Sequence, residues 1–133
     1  MSERRAFDYV IVQVVPRVER DERVNAGVIV FCPTAGYLGA RIVSDRAAAE
    51  ARWRALAPGG EMDVEGVWQQ LEAIRAIAGG DAGAGPIAAL SISERFHWLS
   101  AARSTIVQTS VGHAGVCADP AAALDHLFAT QVG

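Results

Sequence analysis

The sequence contains no lysine and only two cysteines, Cys32 and Cys117, among its 133 residues. Two cysteines are too few for a disulfide framework, so we expect reduced thiols and a cytoplasmic protein. No apolar run approaches the roughly 18 residues that a membrane-spanning helix needs, so we expect no membrane association. The pair Arg4-Arg5 is followed by Asp8 and by an apolar run that stops at Pro16, which argues against an export signal.

All 12 basic residues are arginines, and the net charge is −3. Arginine suits the recognition of phosphate or carboxylate groups. A composition rich in alanine and glycine instead favours coding bias as the reason for the missing lysine. Because no basic cluster carries interleaved aromatic residues, we do not expect binding to duplex nucleic acid.

Two further kinds of site are incomplete in the sequence. The glycine-rich stretch 79–86 lacks both the preceding strand and the Gly-Lys-Ser/Thr of a phosphate-binding loop, so it predicts a flexible linker within a single domain of residues 1–133. His113, Cys117 and His126 supply three of the four ligands of a structural zinc site, and a second close pair is missing. We read His113 as a loop residue and His126 as an exposed helix residue, and we expect neither metal nor cofactor.

The N-terminal part of the chain predicts a three-stranded meander. Residues 9–15 and 24–32 are rich in β-branched residues and are separated by eight residues, which is too short for a parallel crossover. A tight turn leads to a third strand at 37–43. Gly27 and Gly39 lie inside predicted strands, where glycine indicates a bulge or a close backbone approach. We therefore assign both glycines a structural role.

The remaining sequence changes to helical periodicity after Val43. Capping residues and apolar spacing predict a helix at 46–57 after Asp45, a longer helix after Asp63 that stops at Gly79, a short helix after Ser91, a strand at 105–109 and a C-terminal helix from Pro120. The fold class is α+β: an antiparallel sheet of four or five strands, packed by helices mainly on one face.

The connection between the first two strands is dense in charge. Six of the eight residues from Pro16 to Arg23 are ionisable, although the flanking strands are almost wholly apolar. Loops held by rigid strands often carry function, so the candidate binding residues are Arg17, Arg20, Glu22, Arg23 and Asn25. The alternatives are that Glu22 forms a surface ion pair with Arg20 or Arg23, and that Asn25 satisfies a turn or bulge.

A second cluster comprises Arg95, His97, Trp98 and Arg103. Trp98 and Arg103 could build a stacking or anion pocket, whereas a core aromatic beside a solvated arginine is the simpler interpretation. An enzyme acting on a phosphorylated or nucleotide-like substrate would need both clusters in one cleft, with Glu22 or His97 as acid or base and Arg17, Arg20 or Arg103 holding the anion.

A family resemblance rests on these same residues. The segments are Tyr9-Val-Ile-Val, Pro16, Glu22-Arg-Val-Asn-Ala-Gly-Val-Ile-Val-Phe31, Arg95-Phe-x-Trp-Leu, Arg103-Ser104, Gln108 and Ala118-Asp119-Pro120. Together they resemble the uncharacterised bacterial family called domain of unknown function 3037. The resemblance brings no activity or catalytic residues, but members of that family are often encoded beside HipA-like kinases, which implies a kinase-like partner.

The leading functional expectation is a non-enzymatic binding or accessory module for a kinase-like protein. A small enzyme is the first alternative, and a structural homo-oligomer built through the sheet edge is the second.

Overall fold

The computed structural model describes residues 4–17, 20, 22–57, 62–101 and 106–132. This part of the chain forms five β-strands and four α-helices. In chain order they are β1 (Arg5–Arg17), β2 (Glu22–Cys32), β3 (Tyr37–Ile42), α1 (Arg46–Ala55), α2 (Val64–Gly79), α3 (Ile92–Leu99), β4 (Val107–Thr109), β5 (His113–Cys117) and α4 (Pro120–Gln131). Short 3-10 turns lie at Pro33–Ala35 and Pro86–Ala89.

The strands form one antiparallel sheet in the order β3-β2-β1-β4, and β5 also pairs with β1. Strands β1 to β3 are the predicted meander. β1 is long enough to hold two short strands along its outer edge, with β4 against residues 12–14 and β5 against residues 5–9. The predicted α+β class and antiparallel sheet are confirmed.

The sheet buries side chains on both of its faces. Val10, Val12 and Val14 of β1 belong to the larger core, which includes residues of α1, α2 and α3. Phe7 and Ile11 alternate with them along the strand and belong to a second core with α4. Three of the four described helices therefore lie on one face, as predicted, and α4 covers the other.

The predicted helix starts are confirmed by their caps. The side chains of Asp45, Asp63 and Ser91 each accept a hydrogen bond from the backbone N–H three residues later. Pro120 occupies the first turn of α4, where its missing N–H removes no helical hydrogen bond. The first helix is two residues shorter than predicted and ends at Ala55 rather than at residue 57.

The interpretation of His113 as a loop residue is wrong, since this residue begins β5. The strand consists of His-Ala-Gly-Val-Cys, and its alanine and glycine have low strand propensity. The segment is a strand because it pairs with β1, not because of its local propensity. The rings of Tyr9 and His113 also stack across the two strands, with 5.1 Å between their centroids. His126 lies on α4 and is exposed, as predicted. Part of the strand predicted at 105–109 is present as β4, while Thr105 lies outside the described residues.

The segment 79–86 follows directly on α2. Gly80 has a φ of 66° and forms the left-handed cap of that helix, and Gly83 and Gly85 also have positive φ. Arg75 of α2 binds Asp81 through a 3.0 Å ion pair. The flexibility of this segment stays a prediction.

Candidate functional site

The hairpin between β1 and β2 carries the charged ridge, which we define as residues 16–25. Arg20 and Glu22 form an ion pair with 2.8 Å between Nε and Oε1, and their side chains are 52% and 40% exposed. Arg17 lies opposite Glu22 across the two strands and makes no hydrogen bond or ion pair in the described structure. Residues 18, 19 and 21 lie outside the described part of the chain. The described charges of the ridge therefore lie at the surface.

A chain of side-chain amides anchors the base of the ridge. Arg23 Nη1 donates to Gln13 Oε1 at 3.0 Å, and Gln13 Nε2 donates to Asn25 Oδ1 at 3.2 Å. Asn25 Nδ2 then donates to the backbone carbonyl of Gln131 at 2.9 Å. That carbonyl belongs to the last turn of α4, where helical carbonyls lack an intrahelical partner. Asn25 thus joins the ridge, the sheet and the end of α4.

Sequence reasoning did not select Gln13 or Gln131 for this network. The available signal for Gln13 was its position as a lone polar residue within the apolar run 9–15. Gln131 takes part through its backbone, so its side chain gave no signal at all.

A register shift accompanies Asn25. Val12 pairs with Gly27 and Gln13 pairs with Asn25, so Ala26 is the extra residue of a β-bulge. A Cβ atom on Gly27 would lie 2.8 Å from the carbonyl oxygen of Arg41 on the neighbouring strand. At Gly39, an added Cβ would meet the ring of Tyr37, with 2.8 Å to its Cζ atom. The backbone of β3 therefore leaves no room for a side chain at Gly27, whereas at Gly39 the space is occupied by the end of the Tyr37 side chain.

A cleft of about 260 Å³ begins where the ridge ends, and we call it the Asn25 cleft. It lies between β2, the segment after β3, α1 and the last turn of α4. Its lining residues are Val24, Asn25, Val43, Ser44, Asp45, Ala48, Ala49, Arg52, Trp53, Phe128 and Val132. The ridge and the cleft are continuous because Val24 and Asn25 belong to both.

The apolar part of the Asn25 cleft is rigidly supported. Trp53 is fully buried in the larger core and packs against Trp68 in a tilted arrangement, with 4.9 Å between ring centroids. On the opposite side, Arg41 lies 4.4 Å above the ring of Phe128 and binds Asp125 at 3.1 Å. These contacts fix the aromatic side chains before any ligand arrives.

The polar part of the Asn25 cleft contains charges of both signs. Asp45 Oδ1 accepts the N–H of Ala48 and so serves the N-terminus of α1. Arg52 is exposed and makes no hydrogen bond or ion pair within the described structure. In contrast, Arg46 and Arg54 on the same helix both lie within ion-pair distance of Glu50. Arg52 is therefore the lining residue whose charge is open to a ligand.

The second predicted cluster is built differently. Arg95 Nη1 donates to the carbonyl of Ala88 at 3.1 Å and so holds α3 to the turn at Pro86–Ala89. His97 Nδ1 lies 2.8 Å from the carbonyl oxygen of Ser93 in its own helix. Trp98 is 43% exposed and lines a small cleft of about 160 Å³ together with α2 and Val107. Arg103 lies outside the described residues.

The structure does not bring the two predicted clusters together in either cleft. Asn25 lines the first cleft and Trp98 lines the second, and no residue is shared between them. Glu22 and His97 lie outside both clefts. The cleft required by an enzyme is therefore not formed by the candidates that the structure describes.

The thiols show no feature of a reactive site. Burial, followed by the neighbouring Cys32 thiol, raises the pKa of Cys117 above its ordinary value and lowers its thiolate fraction. Cys32 is buried and donates to the carbonyl of Ala6 at 3.5 Å.

Among the residues described, no three His, Cys, Asp or Glu side chains are grouped to hold a metal ion. The described helices include none that is both long and apolar enough to cross a bilayer.

These observations define an α+β domain with a five-stranded antiparallel sheet, a charged hairpin and an adjoining cleft. The model of the family described as protein of unknown function (DUF3037) matches residues 9–132, nearly the whole chain. The chain belongs to this family. No curated protein and no solved structure gave a significant match.

Proposed function

We propose that this protein is a non-enzymatic accessory module of the bacterial cytoplasm that binds a protein partner through the charged ridge. The observation that carries the proposal is the position of the ridge. Two core strands and the Asn25 hydrogen bonds anchor the base of the ridge, while the ion-paired side chains of Arg20 and Glu22 are 52% and 40% exposed. The side chains of Arg17, Arg20 and Glu22 belong to neither core, so their charges can meet a partner at the surface.

The partner that we propose is a HipA-like kinase, because the family to which this chain belongs is often encoded beside such kinases. Exposed charges contribute little to the affinity of a complex and act mainly on encounter and partner choice. The ridge should therefore control the association rate with the kinase more than the dissociation rate.

The test is the association rate with a purified HipA-like kinase encoded in the same genome. The variant replaces Arg17 and Arg20 by alanine and leaves Arg23, which supports Gln13, in place. We expect association to slow severalfold at low salt, and the difference from the parent to shrink as salt screens the charges. The control, Arg4→Ala with Arg54→Ala, removes the same charge elsewhere on the surface.

Equal association rates for the parent and the ridge variant at both ionic strengths would show that the ridge is a solvated turn. A matching loss in the control variant would also contradict the proposal, because the effect would then follow net charge alone. Absence of binding by the parent would remove the kinase as partner.

The second candidate function is a structural homo-oligomer joined through the sheet edge. A specific observation favours it: β5 packs extensively against β1 alone among the described elements and contains no Asp, Glu, Arg or Pro. Uncharged, exposed edge strands are templates for pairing with another chain.

The enzyme alternative has no comparable support. It requires Glu22, Asn25 and the segment 95–103 in one cleft, and the described members of these clusters do not form one.

A further inference from the structure

We infer that the Asn25 cleft is the anchor point of the partner, where it takes an apolar side chain that lies beside a carboxylate. The inference rests on the proposed function and adds the chemistry of the segment that is bound. It is carried by the juxtaposition of an apolar cleft, an arginine that forms no ion pair with the described residues, and the described end of the charged ridge at Arg23 to Asn25.

The apolar component follows from the shape and lining of the cleft. A volume of about 260 Å³ is just below the usual range of small-molecule pockets and is suited to one side chain rather than to a cofactor. Val43 and Phe128 provide partly exposed apolar walls, and both side chains pack against the buried cores. Binding there would cost little reorganisation, since the walls are already fixed.

The carboxylate follows from Arg52. Arg52 lines the cleft, and its side chain makes no hydrogen bond or ion pair in the described structure, whereas Asp45 already accepts a hydrogen bond at the N-terminus of α1. A guanidinium fork matches the two oxygens of a carboxylate, and the contact strengthens where an apolar side chain excludes water. An anionic group is thus favoured at Arg52, and an apolar group is favoured beside it.

The occupant is a segment of the partner protein because the cleft opens onto the ridge. Val24 and Asn25 form both the end of the ridge and one wall of the cleft. A chain that meets the arginines of the ridge can therefore place its next residues in the cleft. In this arrangement the ridge guides the encounter and the cleft slows dissociation.

The chemistry can be tested without the partner by titrating the whole protein with N-acetyl-leucine and following backbone amide signals by NMR. We expect shifts at residues 44–49 and at Val132. N-acetyl-leucinamide, which lacks the charge, and N-acetylglycine, which lacks the apolar side chain, should each bind at least severalfold more weakly. Equal binding of all three probes, or shifts spread over unrelated surfaces, would overturn the inference.

The role in partner binding is tested with Arg52→Gln, which removes the charge and keeps a long polar side chain. The matched control is Arg54→Gln on the same helix, because Arg54 pairs with Glu50 and does not line the cleft. We expect Arg52→Gln to raise the dissociation rate of the kinase by about three- to tenfold, and Arg54→Gln to leave it nearly unchanged.

The outcomes separate this inference from the proposed function. If the ridge variant slows association while Arg52→Gln dissociates like the parent, the anchor is wrong and the binding module stands. If neither variant changes binding, both ideas are wrong. Binding of N-acetyl-leucine together with an unchanged kinase dissociation rate would identify a small-molecule site and overturn the anchor.

Discussion

At Gly27, an added Cβ atom would lie 2.8 Å from the carbonyl oxygen of Arg41 and 2.5 Å from Cδ1 of Ile42. The isoleucine side chain can turn away, but the carbonyl belongs to the backbone of β3 and cannot move without disturbing the β2–β3 pairing. Gly27→Ala should therefore lower the free energy of unfolding by about 1 to 3 kcal/mol. Urea unfolding monitored by tryptophan fluorescence measures this change.

The matched control is Gly112→Ala, because an added Cβ at Gly112 meets no heavy atom within 4 Å. If both variants unfold at the same urea concentration, close packing at Gly27 is not the reason for glycine there. A loss confined to Gly27→Ala supports the structural role predicted from its place within an apolar strand.

Some residues of the site were visible in the sequence and others were not. A glycine inside a β-branched run, or a charged octet between two strands, departs from local expectation and can be recognised. Arg52 gave no such signal, because an arginine in the last turn of an exposed helix is ordinary. Its importance in the cleft depends on Phe128 and Val132, which are more than 70 positions away in the chain.

At the scale of elements, Asn25 links the end of α4 to the sheet. Its amide donates to the carbonyl of Gln131, and its own carbonyl accepts from Gln13. Asn25→Asp keeps the size of the side chain but replaces the donor by a second acceptor that faces the negative end of a helix. We expect a loss of about 1 to 3 kcal/mol in unfolding free energy and faster amide hydrogen exchange in the last turn of α4.

Gln131→Ala is the control for this prediction, since the contact uses the backbone carbonyl of Gln131 and its side chain is exposed. It should unfold and exchange like the parent. Exchange in α4 that is unchanged in Asn25→Asp would mean that the amide does not hold the helix.

The elements also show where local patterns stop being informative. Helix starts could be predicted because Asp45, Asp63 and Ser91 act on amides only three residues away. β5 could not, because its order comes from pairing with residues 5–9, more than a hundred positions earlier. The placement of α4 on the second face could not be predicted either. Successive side chains of β1 and β2 enter different cores, so both strands are apolar on both faces and do not indicate which helix covers which face.

At the scale of the whole molecule, the two edges of the sheet differ. On one side, β3 carries Arg41 and packs against α2 and α4. On the other, β5 packs extensively against β1 alone among the described elements, and Val116 is 58% exposed. Val111, just before this strand, is 78% exposed. Charge and helices protect the first edge, and neither feature is present on β5.

The proposed pairing of a second copy through the β5 edge would meet no repulsion between Asp, Glu or Arg side chains of the two strands, because β5 contains none. Two five-residue strands bury much less than the roughly 1,200 to 2,000 Å² of a stable interface. The dimer should therefore be weak and should form only as the protein concentration rises. Sedimentation velocity over a concentration series measures this association directly.

Val116→Lys places a charge on the edge and should shift sedimentation toward the monomer at every concentration, because edge lysines block strand pairing. Leu90→Lys is the matched control, since Leu90 is another exposed apolar residue, 38% accessible and outside β5. Its sedimentation should match that of the parent. A parent that stays monomeric throughout the series, or a Val116→Lys variant that associates like the parent, would rule out pairing through β5 and leave the ridge and the Asn25 cleft as the interaction surfaces proposed for this protein.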